Sequence, residues 1–233
     1  MNKVLKGFSE KKDGSMYVPL SNPRSENIEH RKAFLEKLGL GGKQVAMAQL
    51  VHGAQVAVIN RRSPYIVPET DALITKDSDI ILTLTGADCF PVYFEEKQAG
   101  IIGLAHCGWR GIVTDILPKT IAAIEKAGGK PPDLTVTIGP GICAKHFEIQ
   151  ADTLPSFAKY SVFVSHDNGL HVDLRGILRH QATHLGVFSD KILDSGECTY
   201  CFPNKYFSCR RDKPAYLENH LAYVVQFSHR KFS

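Results

Sequence analysis

No apolar run in the 233 residues approaches transmembrane length, and the opening MNKVLKGFSEKKDGS has no hydrophobic signal segment. A membrane span and a secretory leader are therefore not expected, and the cytosol is the default compartment. Charge of a single sign is scarce as well. The 28 basic residues stand against 24 acidic ones with no long run of either, so nothing calls for a nucleic-acid-binding surface, although a locally basic pocket for an anion stays open. Repeats, low-complexity tracts and Pro/Ser-rich linkers are absent, and one domain of mixed α and β over residues 1–233 is the simplest architecture. Among ten histidines none is spaced His-x-His, which removes the usual footing of a multicopper centre.

What is present is an ordinary globular composition, 43% hydrophobic and 22% charged, long enough to bury a full core. Six cysteines (Cys89, Cys107, Cys143, Cys198, Cys201 and Cys209) are even in number. A chain of this size needs no disulfide staples, and in a reducing compartment the thiols read as ligands, nucleophiles or core filler.

The stretch from Ile80 to Gly111 organises the rest. Two β-rich apolar runs, Ile80–Leu84 and Gly100–Ala105, each stop at a small-residue corner carrying a metal-capable side chain: Cys89 in GADC and His106 in AHCGWRG. A third run, Val45–Val51, stops in the same way at His52-Gly53. Three strands that each deliver one Cys or His at their C-terminal end match a catalytic zinc, which takes three protein ligands and keeps one position open.

Around this centre, Val4–Phe8 and Met16–Pro19 are expected as strands, and Ser25-Glu26-Asn27 opens a helix that Gly39 is placed to end. Val45–Val51 and Gln55–Asn60 are expected to form a hairpin about His52-Gly53. Ala72–Thr75, Ile80–Thr85, Leu134–Ile138, Lys191–Leu193 and Leu221–Phe227 read as strands, and Ile112–Lys126 and Asp173–Leu185 as helices.

The ordered set His52-Gly53, Asp71-Ala72-Leu73-Ile74-Thr75, Ala87-Asp88-Cys89-Phe90-Pro91, His106-Cys107-Gly108-Trp109-Arg110-Gly111, Gly139-Pro140-Gly141-Ile142, Phe147-Glu148-Ile149, and Cys198-Thr199 with Phe207-Ser208-Cys209-Arg210-Arg211 resembles the YfiH family. Its members have been labelled polyphenol oxidase or laccase-domain proteins, and are described as purine nucleoside phosphorylases and adenosine deaminases. The resemblance implies an α+β fold, a layered α-β-β-α sandwich with mixed sheets, and a zinc held by His52, Cys89 and His106. It also implies phosphorolysis of nucleosides such as adenosine, inosine or methylthioadenosine, deamination of adenosine, and purine nucleoside and phosphate as partners. The chain departs from the family at Cys107 (usually Ala), Cys209 (usually Tyr) and Leu178 (usually Asn), and where the family often closes with Thr-Gly-Arg after the double arginine it reads Asp212-Lys213-Pro214-Ala215.

Each candidate has a plainer alternative. Cys89 with His106 as its base would make a metal-free Cys-His hydrolase, but that dyad leaves His52 without a task. Copper, under the older label, is the weaker metal assignment. Asp88 is a candidate to hold a proton or orient a ligand, or else a turn residue capping amides. Arg110, in the Gly-Trp-Arg-Gly corner before a helix, is a candidate for phosphate, or for stacking on Trp109. Arg61-Arg62 and Arg210-Arg211 are further cations. His180 and His184 are expected on a solvated helical face. Cys198-x-x-Cys201 with Cys209 resembles half of a structural zinc site or a redox pair; no second CxxC matches it, and it is assigned no metal.

Overall fold

The computed structural model describes residues 3–19 and 24–228. In chain order the strands are β1 (Lys3–Phe8), β2 (Gln44–Ala48), β3 (Val56–Ile59), β4 (Ile66–Val67), β5 (Ala72–Thr75), β6 (Ile80–Gly86), β7 (Phe90–Glu96), β8 (Ile101–Cys107), β9 (Leu134–Ile138), β10 (Glu148–Ile149), β11 (Val164–Ser165), β12 (Leu170–Val172), β13 (Ile192–Asp194) and β14 (His220–Phe227). The helices are α1 (Ser25–Lys37), α2 (Trp109–Val113), α3 (Ile116–Lys126), α4 (Leu174–His184) and α5 (Cys209–Asp212). A five-stranded sheet runs β1-β14-β6-β2-β4 and a six-stranded sheet β13-β9-β7-β8-β5-β3; β10, β12 and β11 make a small third sheet.

Side-chain alternation assigns the layers, because successive strand residues point to opposite faces. Leu82, Leu84 and Val224 of the first sheet pack with Leu73, Tyr93, Ile102 and Leu104 of the second, so the two sheets bury a common interior. Ile81, Tyr223 and Val225 turn outward from the five-stranded sheet onto Phe34 of α1. On the far side of the six-stranded sheet Ile74, Val92 and Ala105 meet Ile121 of α3 and Ile177 and Leu178 of α4. The layers are thus α-β-β-α, the architecture expected. Strands buried on both faces read as continuous apolar runs, and β8, buried at every position, is one of them.

Several local expectations change. β2 and β3 form no hairpin: β2 lies between β6 and β4 in one sheet, whereas β3 pairs in parallel with β5 in the other. The chain crosses between sheets through residues 49–55, and His52 takes a left-handed conformation (φ 57°) at the crossing. β6 and β7 also belong to different sheets, so Cys89 sits at a second crossing. Met16–Pro19 is irregular. The helix expected over Ile112–Lys126 starts earlier and is split by Asp115 (φ 70°) into α2 and α3. His106 lies inside β8, opposite Pro91, and the strand runs one residue further to Cys107.

Candidate metal centre

Where the chain passes from one sheet to the other, the sandwich opens at one end, and the donor atoms of His52, Cys89 and His106 lie within 4.8 Å of one another there. The two imidazole rings stand nearly perpendicular, 87° apart with centroids 4.9 Å apart. His106 shares the parity of Ile102 and Leu104 along β8 and faces the space between the sheets. Cys107 turns away into the helix-side core, fully buried.

Asp71 holds this arrangement together. Its Oδ1 is 3.1 Å from His106 Nδ1 and also accepts the N–H of His52 at 3.0 Å, while Oδ2 accepts the N–H groups of Val51 and Gly53 at 3.3 and 2.8 Å. One buried carboxylate thereby orients one ring and pins the backbone that carries the other. With Nδ1 bonded to Asp71, His106 presents Nε2 to the centre, the usual way an outer carboxylate sets a ligand histidine. Asp71 belonged to a quoted motif but carried no assigned role, since its distance in sequence from both histidines hides the contact.

The electrostatics follow from crowding these groups. Burial works to push the Cys89 thiol up, but His106 and then His52 outweigh it and bring it down to about 6. Burial likewise works to lower His106, and the neighbouring Cys89 and Asp71 reverse this, raising it to about 9. A thiolate beside an imidazolium results when no cation is present. Gly108 leaves the approach open: a Cβ there would lie 3.0 Å from Cys89 Sγ and 3.5 Å from carbons of both imidazole rings. The S/N/N donor set and this clear face fit a zinc with an open position.

A pocket of about 410 Å³ opens onto Cys89 and His52. Trp109, Ile142, Phe147 and Leu174 give it apolar walls, and Arg210 and Lys213 supply positive charge. Asp88 is the one carboxylate among the lining residues described; its Oδ1 accepts from the Thr199 hydroxyl at 2.6 Å and its Oδ2 from the Arg210 N–H at 2.8 Å. Arg110 is exposed, with its guanidinium 4.4 Å from the centre of the Trp109 ring, and is not among the lining residues. Arg211 is tied to the carbonyls of Thr199, Tyr200 and Tyr206 and to Asp212. His180 and His184 are exposed on α4.

Fold and site together define a layered α-β-β-α protein with a corner of three soft donors that could hold a metal ion. The family described as multi-copper polyphenol oxidoreductase laccase matches residues 8–217. The purine nucleoside phosphorylase YfiH of Shigella flexneri is 30% identical over 190 residues, covering 79% of this chain and 75% of its own. Adenosine deaminase RL5, from an unknown prokaryotic organism, is 28% identical over 200 residues, covering 79% and 76%. The crystal structure of YlmD from Geobacillus stearothermophilus superposes with a TM-score of 0.89 at 25% identity, covering 97% of this chain and 92% of that one. The chain belongs to this laccase-domain family, the YfiH family.

Proposed function

We propose that the chain is a zinc-dependent purine nucleoside enzyme that cleaves nucleosides of the adenosine, inosine or methylthioadenosine type with phosphate and deaminates adenosine. The observation that carries this is the convergence of His52, Cys89 and His106 on one open corner at the mouth of an apolar pocket with cationic residues at its edge. The names of the relatives support the choice of purine nucleosides.

Zinc at this corner would supply a Lewis acid and a water activated near neutral pH. The chain's own residues divide the remaining work. Phe147, Trp109, Ile142 and Leu174 offer apolar surface for a purine. Asp88 is the group assigned to carry a proton to or from the base. Arg210 and Lys213 are the cations that face the pocket and are assigned phosphate, while Arg110, packed on Trp109, has the weaker claim. The test is nucleoside turnover: base released from adenosine only when phosphate is present, and inosine formed without it. Absence of both from zinc-loaded protein would refute the proposal. Arg210→Lys should raise KM for phosphate more than Arg110→Lys does.

A second reading rests on the same atoms. Cys89, His106 and Asp71 stand in the order nucleophile, base and orienting carboxylate. It leaves His52 unused, and a chelator separates the two readings: it abolishes zinc-dependent turnover and spares a thiol hydrolase.

A further inference from the structure

The four sulfur and imidazole groups of Cys143, His146, Cys198 and Cys201 lie outside the site described above. Cys143-x-x-His146 and Cys198-x-x-Cys201 are two short chelating pairs separated by more than fifty residues. An isolated parallel bridge between Gly141 and Cys198 sets them side by side, reinforced by Thr199 N–H donating to the Gly141 carbonyl at 3.3 Å. The half-site that Cys198-x-x-Cys201 lacks in sequence is thus supplied by a different segment. The donor atoms of Cys143, His146 and Cys201 come within 4.8 Å of one another.

We propose that this cluster is a second metal site, a structural zinc held by Cys143, His146 and Cys201, with Cys198, whose sulfur lies against the Cys143 backbone but outside that group of three, drawn in as the fourth ligand. The sulfurs of Cys143 and Cys201 are 4.0 Å apart as free thiols. Two thiolates bound at about 2.3 Å on a tetrahedral zinc stand about 3.8 Å apart, so little movement is needed. Cys198 Sγ accepts the Cys143 N–H at 3.2 Å, a backbone bond of the kind that steadies a thiolate ligand. The His146 ring is stacked on Tyr200 at 3.9 Å and 18°, which limits its rotation. A sulfur-rich set with one imidazole selects zinc over magnesium or calcium.

The site would clamp one wall of the pocket. Ile142 and Phe147, on either side of the first pair, line that pocket, and Thr199, inside the second pair, bonds Asp88. Zinc here ties the two segments together behind the pocket wall, and none of its four ligands is among the residues that line the pocket, so its role is to hold shape rather than to touch substrate.

The test uses the full chain, purified with reductant, reconstituted with zinc and desalted. About two zinc per chain are expected in the wild type, and about one in each of Cys143→Ser/Cys201→Ser and Cys89→Ser. Cobalt substitution in the Cys89→Ser background should retain a sulfur-to-cobalt charge-transfer band, which Cys143→Ser/Cys201→Ser then removes. Amide exchange in residues 141–147 and 198–202 should speed up in that double variant. If the double variant fails to fold, His146→Gln gives the same zinc count with a smaller perturbation. A wild type binding a second zinc that the cysteine changes do not remove overturns the proposal. So does a cobalt band that vanishes with Cys89 alone, or a Cys143–Cys201 disulfide that after reduction takes up no second metal. The Cys89→Ser arm keeps failure of this site distinct from failure of the first.

Discussion

Asp71 and His106 face each other across 3.1 Å in the closed interior between the sheets, their side chains 0% and 3% exposed. Because the same carboxylate also receives the N–H of His52, both histidines of the corner depend on one residue that belongs to neither of their segments. Asp71→Asn keeps the shape but replaces one acceptor oxygen with a donor, so ring and loop cannot both be satisfied. Zinc affinity should fall by about 10–100-fold, measured by competition with a chromophoric chelator. Unchanged affinity would show that the corner is held by packing alone.

Gly108 has an ordinary backbone (φ −75°, ψ 161°) that alanine can adopt. A loss in Gly108→Ala would therefore come from the added Cβ against Cys89 Sγ and the two rings. Zinc content should drop sharply with little change in Tm. A fully loaded variant would place the open face elsewhere.

Cys107 is buried on the helix side, across the strand from the corner of His52, Cys89 and His106. Cys107→Ala removes one buried sulfur and should cost about 1 kcal/mol, visible as a lower urea midpoint, while zinc stoichiometry stays the same. Lost zinc would mean that the thiol reaches the site.

In metal-stripped protein, Cys89 should ionise at about 6 because His106 and His52 outweigh the effect of its burial. The alkylation rate with iodoacetamide should then rise through that pH and level off, and added zinc should suppress it. A rate that climbs only near the ordinary thiol value would refute the ion pair.

His220 is buried among the rings of Phe8, Tyr206 and Phe207, and its Nε2 accepts the Phe207 N–H at 2.8 Å. Burial holds it down to about 4, against an ordinary value of 6.5. Between those values the unfolded chain binds a proton that the folded chain refuses. The contribution is therefore complete above the unfolded value and is lost as pH falls toward the folded one, by about 3 kcal/mol in all. Urea midpoints for wild type and His220→Gln between about pH 7 and about pH 4 should converge as the pH drops; parallel curves would exclude His220 as the cause.

The sequence by itself determined the strands of the core, because β6 and β8 are buried on both faces and so read as mostly apolar runs, broken only by the threonines of β6 and by Gly103 and His106 in β8. It also marked His52, Cys89 and His106, since metal-capable side chains at the ends of such runs stand out. It could not show which strands share a sheet. A run and a turn such as Val45–Asn60 look alike whether the chain returns in a hairpin or crosses to a second sheet, because local pattern reports burial and not partner. Tertiary structure alone decided that His52 and Cys89 lie at two crossings, that Asp71 reaches His106 from 35 residues away, and that Cys143 and His146 stand beside Cys198 and Cys201. Each of these is a contact between segments distant in the chain, set by sheet register and layer packing rather than by any neighbouring residue.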